Sequence, residues 1–148
     1  MPYEFLLTDI NQNLTEKAIG ADKGLAKIGD SIVNLTYSVA KSIYLTNNNL
    51  NSRIIRTGMK VSKKILAEAL KEANMKIYAK TRADSHDLAD TVEALIAYIW
   101  LSEKMSTKEI IDFLANNLSG DLNNRVEEVN SARSAFTRLL KLINKIIQ

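Results

Sequence analysis

Cysteine is absent from this 148-residue sequence, which removes disulfides, thiolate metal sites and cysteine nucleophiles at once. Nothing in it asks for an oxidising compartment, so the cytoplasm is the expected location. Proline occurs once, at position 2, and glycine five times, leaving almost nothing to interrupt helices along the chain. An all-α fold is the expected class. Long apolar runs are missing too: none approaches the roughly 20 residues needed to cross a bilayer, and no basic-then-apolar leader opens the chain, so membrane insertion is not expected. The triplets beginning at Asn13, Asn34 and Asn117 fit the glycosylation pattern, but without a secretion signal they are chance matches.

What is present suits one ordinary globular domain over residues 1–148, with 46% apolar and 25% charged side chains. The net charge of +3 is modest but unevenly placed. Residues 51–82 carry nine Lys or Arg against Glu68 and Glu72, a local +7, while the remainder is a local −4. Such a basic segment suits binding to a phosphate backbone, where cations displace condensed counterions; the plainer reading is a solvated helix face.

The spacing predicts a short helix of mixed polarity over 4–18. Asp22 then caps a longer helix from Lys23, whose residues Leu25, Ile28, Ile32, Leu35, Val39 and Ile43 form a core-facing stripe. The three asparagines at 47–49 end it. A loop, with room for a short helix carrying Arg53 and Arg56, leads to a helix opened by Ser62 and ending near Asn74. Asp84 and Asp87 make a capping-box-like start for a helix to about Lys104, and Ser106 with Glu109 another for a helix to about Asn117. A final helix over 121–147 carries Leu122, Val126, Val129, Ala132, Phe136, Leu140, Ile143 and Ile147 as a stripe for core packing or dimerisation. No repeat and no linker divides the chain.

Three acids stand out. Asp90 and Glu93 are three apart, so on a helix they share one face, and one turn onward that face carries Ala94, Ala97 and Leu101. Carboxylates at the mouth of an apolar environment repel each other and lose hydration unless a cation or donors compensate, and a metal ion does so economically. Asp30 stands beside a second apolar strip of Ala26, Val33, Tyr37 and Tyr44. Gly29 precedes it, at a cost of about 1 kcal/mol relative to alanine in a helix, which implies close approach by another backbone, from a neighbouring helix or a second subunit. The plain alternative for all three acids is exposed surface charge.

The stretch Gly-Leu-Ala-Lys-Ile-Gly-Asp-Ser-Ile-Val at 24–33 resembles the signature helix of ribonuclease III, and Ala-Asp-Thr-Val-Glu-Ala-Leu-Ile at 89–96 resembles that family's second acidic motif, in the family's order. The likeness extends over about residues 20–105. It implies a helical endonuclease domain that forms a symmetric homodimer, with Asp30, Asp90 and Glu93 as catalytic ligands of magnesium, or manganese, and no nucleotide cofactor. The substrate implied is double-stranded or structured RNA, cut to leave a 5′ phosphate. Arg53, Arg56, Lys60, Lys63 and Lys64 become candidates for gripping phosphates by shape and charge. Two acids that the bacterial signature supplies are replaced by Lys23 and Ala26. Compact members of the Mini-III type also have a small residue at the position of Ala26, and small stand-alone archaeal ribonuclease III-like proteins look closer still. Beyond Leu101 the chain is too short and too helical for an appended double-stranded-RNA-binding module.

His86-Asp87 invites comparison with metal phosphohydrolases that use a His-Asp pair, but those need further histidines and His86 stands alone; a cap for Asp87 and a surface place for His86 are expected. Helical nucleotide pyrophosphatases need acidic pairs on two helices, and only 90 and 93 form one. The rival of a different class is a non-catalytic protein of the same fold that binds structured RNA or a ribonucleoprotein, suggested by Lys23 and Ala26. A helical adaptor using 121–147 explains neither acidic motif.

Overall fold

The structure, a computed structural model, describes residues 3–148, and every regular element among them is helical. A 3-10 turn, Glu4–Leu7, leads into α1, Thr8–Gln12, and α2, Glu16–Gly20. Then come α3, Lys23–Asn47; α4, Lys63–Glu72; α5, Ser85–Leu101; α6, Thr107–Asn116; and α7, Arg125–Ile147. Helix α5 is the axis: it packs most extensively against α3 and α4, and also meets α2 and α7. Every residue from Thr91 to Ile99 is buried, as the apolar encirclement of this stretch implies. Each of Leu95, Ile96 and Ile99 contributes about 1.5–3 kcal/mol by leaving water.

The caps explain where the rods begin and end. Asp22 accepts from Leu25 N at 2.8 Å, and Ser62 from Ile65 N at 3.2 Å. Asp84 with Asp87 and Ser106 with Glu109 form complete capping boxes. Asn74, at φ 58°, ends α4: its N–H bonds Lys71 O and the next N–H reaches back to Leu70 O, satisfying the last carbonyls. Glu103, at φ 59°, does the same for α5, three residues earlier than the sequence suggests.

Four expectations are corrected. The helix expected over 4–18 is broken at Asn13–Leu14, because Thr15 caps α2 through Ala18 N. The last helix starts at Arg125, not 121: Asn124 accepts from Val126 N and Glu127 N, so Leu122 is buried from the preceding turn and Val126 is left exposed. The segment holding Arg53 and Arg56 forms no helix; it runs extended along α3. Most important, the stripe read as the core face of α3 is mainly its open face. Leu25 and Ile32 are buried, but Ile28, Leu35, Val39 and Ile43 are 36–56% exposed, while the second strip, Ala26, Val33 and Tyr37, lies in the core.

The small residues decide which face of α3 goes inside. An ideal Cβ on Gly29 would stand 1.8 Å from Glu93 O, so only glycine lets the two backbones lie this close. The close approach inferred from sequence is therefore made by α5. At the other end of α3, Glu128 of α7 accepts from Tyr37 Oη at 3.1 Å and pairs with Lys41 Nζ at 2.7 Å, a buried polar lock between α3 and α7.

Candidate functional site

The capped starts of three helices converge. Lys23 is the first residue of α3, Lys63 the first of α4, and Asp90 and Glu93 lie in the second and third turns of α5. Asp30, Asp90 and Glu93 line one cleft of about 190 Å³ together with Lys23, Ala26, Lys27 and Lys63. Asp30 and Asp90 are half-buried and Glu93 is buried. The three acids singled out from sequence are thus brought together by α3 and α5, at the level where Gly29 lets those helices touch.

Lysines hold these carboxylates. Lys63 Nζ bonds Glu93 Oε1 at 2.9 Å and Asp90 Oδ1 at 3.3 Å, and Lys23 Nζ bonds Asp90 Oδ2 at 3.0 Å. Asp87, above the cleft, pairs with Lys23 at 3.6 Å and Lys80 at 3.4 Å. Burial works against ionisation of Asp90, but the bonds from Lys23 and Lys63 outweigh it and hold this carboxyl below the usual carboxylate range. For Glu93 the balance tips the other way: burial pushes it up to about 7, the facing Asp30 carboxyl adds to the rise, and Lys63 only partly offsets it. Burial alone would lower the pKa of Lys63, yet its bonds to Glu93 and Asp90 raise it. Glu93 is a buried acid short of positive charge.

Asp30 is tied to the polypeptide rather than to a lysine. Asn34 Nδ2 donates to Asp30 O at 2.9 Å and to Asp30 Oδ1 at 3.3 Å, while Asn34 Oδ1 accepts from Val61 N at 2.8 Å. Asn34 begins a ladder at four-residue steps down α3. Ser38 Oγ accepts from Met59 N, Ser42 Oγ from Thr57 N, and Thr46 Oγ1 from Ile55 N, each hydroxyl also reaching the carbonyl of the same residue. Four residues of helix rise about 6 Å and two extended residues about 6.6 Å, so the two periods stay in step. The ladder fixes the segment that delivers Ser62 and Lys63 to the cleft.

Of the basic candidates, Lys63 belongs to the cleft. Arg53, Arg56, Lys60 and Lys64 are exposed on the pinned segment and the start of α4, and none forms an ion pair among the described residues. His86 is exposed at 3.9 Å from Asp90, and Asp87 serves the capping box. Sequence reasoning missed Lys23 as a partner of Asp90, having registered it only as a lost acid. It also missed Asn34, although a position one turn after Asp30 was a usable signal.

A ribonuclease III family model matches residues 23–148, a span that takes in α3 to α7 and every residue of the cleft. The chain belongs to the ribonuclease III family. A comparison with curated proteins finds no match. No helix among the described residues is long and apolar enough to cross a membrane.

The donor chemistry of the cleft suits a hard divalent cation, which prefers carboxylate oxygens. Asp30, Asp90 and Glu93 are all oxygen donors, and the Lys63 ammonium already stands between two of them as a cation. As arranged, no three acidic or histidine side chains among the described residues close around a common point.

Proposed function

We propose that this chain is a metal-dependent endonuclease that hydrolyses phosphodiester bonds of double-stranded or structured RNA, a single ribonuclease III domain over residues 1–148 acting in the cytoplasm. One observation carries the reading. Two carboxylates from α5 and one from α3 share a cleft in which Glu93 remains short of counter-charge despite Lys63. A binding module has no use for a buried acid held at that cost.

Asp30, Asp90 and Glu93 would hold Mg²⁺, with Mn²⁺ as a substitute. When bound, the ion would activate water and offset charge on the leaving oxygen. The protein's own contribution is positional: Gly29 sets the spacing of α3 and α5, Asn34 orients Asp30, and the caps fix where the acidic turns begin. Arg53, Arg56, Lys60 and Lys64 would grip phosphates outside the cleft, reading duplex shape rather than base sequence. A second copy would cover Ile28, Leu35, Val39 and Ile43 on α3, making a symmetric homodimer with two sites facing one duplex.

The test is incubation of purified protein with long duplex RNA in magnesium, with EDTA, and beside the Asp30→Ala, Glu93→Ala double variant. Cutting by the wild type alone, abolished by EDTA, supports the nuclease. A second reading, RNA binding without cleavage, is favoured by Lys23, which neutralises Asp90 from a position where the family resemblance leads one to expect an acid. Equal retention of duplex by both proteins with no cutting would establish that reading instead.

A further inference from the structure

Lysines already stand among the carboxylates of the cleft. Its lining holds three acids, Asp30, Asp90 and Glu93, and three lysines, Lys23, Lys27 and Lys63. A divalent cation brought to Asp90 and Glu93 would crowd the Lys63 ammonium in a partly buried space unless that ammonium withdraws.

Lys63 is the group placed to withdraw. Its Nζ touches both Asp90 Oδ1 and Glu93 Oε1, so it occupies the position from which an ion would reach both acids. Its side chain remains 39% exposed and rides on a flexible four-carbon stem, which gives it a path to solvent. Its attachment is also poorly supported locally. Lys63 opens α4, with no acid in the first turn, at the positive end of the helix dipole, where a cation is disfavoured. Lys23 repeats the arrangement at the start of α3 and takes the other oxygen of Asp90. A local electrostatic conflict repeated at two helix starts, and resolved through cleft acids in both cases with Asp87 adding to one, is expected at a functional site rather than on inert surface.

We infer that Lys63 is an internal counter-ion competing with the divalent cation for Asp90 and Glu93, so that metal enters only as the Lys63 ammonium leaves. Lys23 acts in the same sense on the outer oxygen of Asp90. The displaced ammonium stays at the rim of the cleft, beside Lys64, available to an RNA phosphate. Metal loading and RNA engagement are then coupled through one side chain: an anionic backbone that draws Lys63 outward strengthens ion binding. This inference deepens the metal-dependent reading above and rests on it.

The experiment measures Mn²⁺ binding by the free-ion electron paramagnetic resonance signal, without substrate, for the wild type, Lys63→Met and Lys63→Gln. Lys63→Gln can still donate a hydrogen bond to Glu93 and guards against misfolding of the methionine variant, and circular dichroism checks both. The expected result is a gain in Mn²⁺ affinity of tenfold or more in the neutral variants, abolished by adding Asp90→Asn and Glu93→Gln. Lys63→Arg should stay close to the wild type. Binding of Mn²⁺ by the wild type with equal or weaker binding by folded neutral variants overturns the inference and leaves the metal-dependent reading standing. Absence of binding in every protein overturns both.

Discussion

Gly29 and Glu93 meet backbone to backbone: a β-carbon on the glycine would stand 1.8 Å from the glutamate carbonyl oxygen and 2.8 Å from its Cα. A close backbone contact between α3 and α5 therefore lies at a residue whose side chain lines the cleft. Gly29→Ala gains about 1 kcal/mol in helix propensity, but the overlap is with main chain, which cannot swing aside. Overpacking of this kind costs about 1–3 kcal/mol and outweighs the gain. Urea unfolding should show a lower midpoint with an unchanged slope. If the nuclease reading holds, activity should fall further than stability, since Asp30 moves away from Asp90 and Glu93 as the helices part.

The rise of Glu93 to about 7 makes stability depend on pH in a defined direction. An unfolded Glu ionises at its ordinary value of 4.5, so between 4.5 and 7 the unfolded chain has released a proton that the folded chain retains. Stability from this group accordingly falls as pH rises through that window and levels off above it. Asp90, held low by Lys23 and Lys63, acts oppositely and below it: its contribution is present above the ordinary aspartate value of 3.8 and is lost as pH falls further. In metal-free buffer, thermal melts of the wild type from pH 4.5 to 7.5 should decline relative to Glu93→Gln. Parallel curves would mean that Glu93 ionises normally.

The rods and their caps were legible because their signals are local. Asp22, Ser62, Asp84 and Ser106 announce their helices within four residues. The acidic cleft was legible through resemblance and through Gly29, which advertised a close backbone. What failed was the choice between two apolar strips on α3, for periodicity gives the same answer for a face that meets the core and one that does not. Gly29 would have helped: it lies beside the strip of Ala26, Val33 and Tyr37 and marks that side as the one another backbone approaches. The lysine partners were illegible for another reason. Lys63 and Asp90 are 27 residues apart and meet through the packing of α4 on α5, which no local pattern announces.

That ladder can be dismantled without touching the cleft. Ser42→Ala removes the partner of both Thr57 N and Thr57 O, in a setting open enough to water that each lost bond costs about 0.5–1.5 kcal/mol at most. Combining Ser38→Ala, Ser42→Ala and Thr46→Val should leave the global unfolding transition in place while releasing the segment locally. Hydrogen exchange should then accelerate at the amides of Ile55, Thr57 and Met59 and remain slow in α5. Unchanged exchange at those three amides would show that another contact holds the segment.

Arg53, Arg56 and Lys60 ride on this pinned segment, and their proposed role has a salt signature. Each phosphate contact on a duplex contributes about 0.9 to the slope of log affinity against log salt. Replacing all three by alanine should weaken duplex RNA binding uniformly across sequences and flatten that slope by about 2–3, measured by filter retention with the acids Asp30 and Glu93 neutralised to prevent cutting. A slope identical to that of the parent would place the phosphate contacts elsewhere.

The exposed stripe of α3 bears on how many sites meet one RNA. Leu35 is 56% exposed and Ile28, Val39 and Ile43 each about 36–37%, in a row along the helix whose opposite face carries Asp30 into the cleft. A lone chain gains nothing from a row of large aliphatic side chains in water, whereas a second copy related by a two-fold axis would bury the same row twice. Because these residues contribute little to the core of one chain, Leu35→Glu together with Val39→Glu should preserve helicity by circular dichroism. The same variant should sediment at the 16.5 kDa of a single chain while the wild type sediments at twice that mass. If both sediment as monomers, the stripe is not a homodimer contact. If the dimer is confirmed and the variant still cuts duplex RNA at the wild-type rate, one site suffices for a strand and facing pairs are not required.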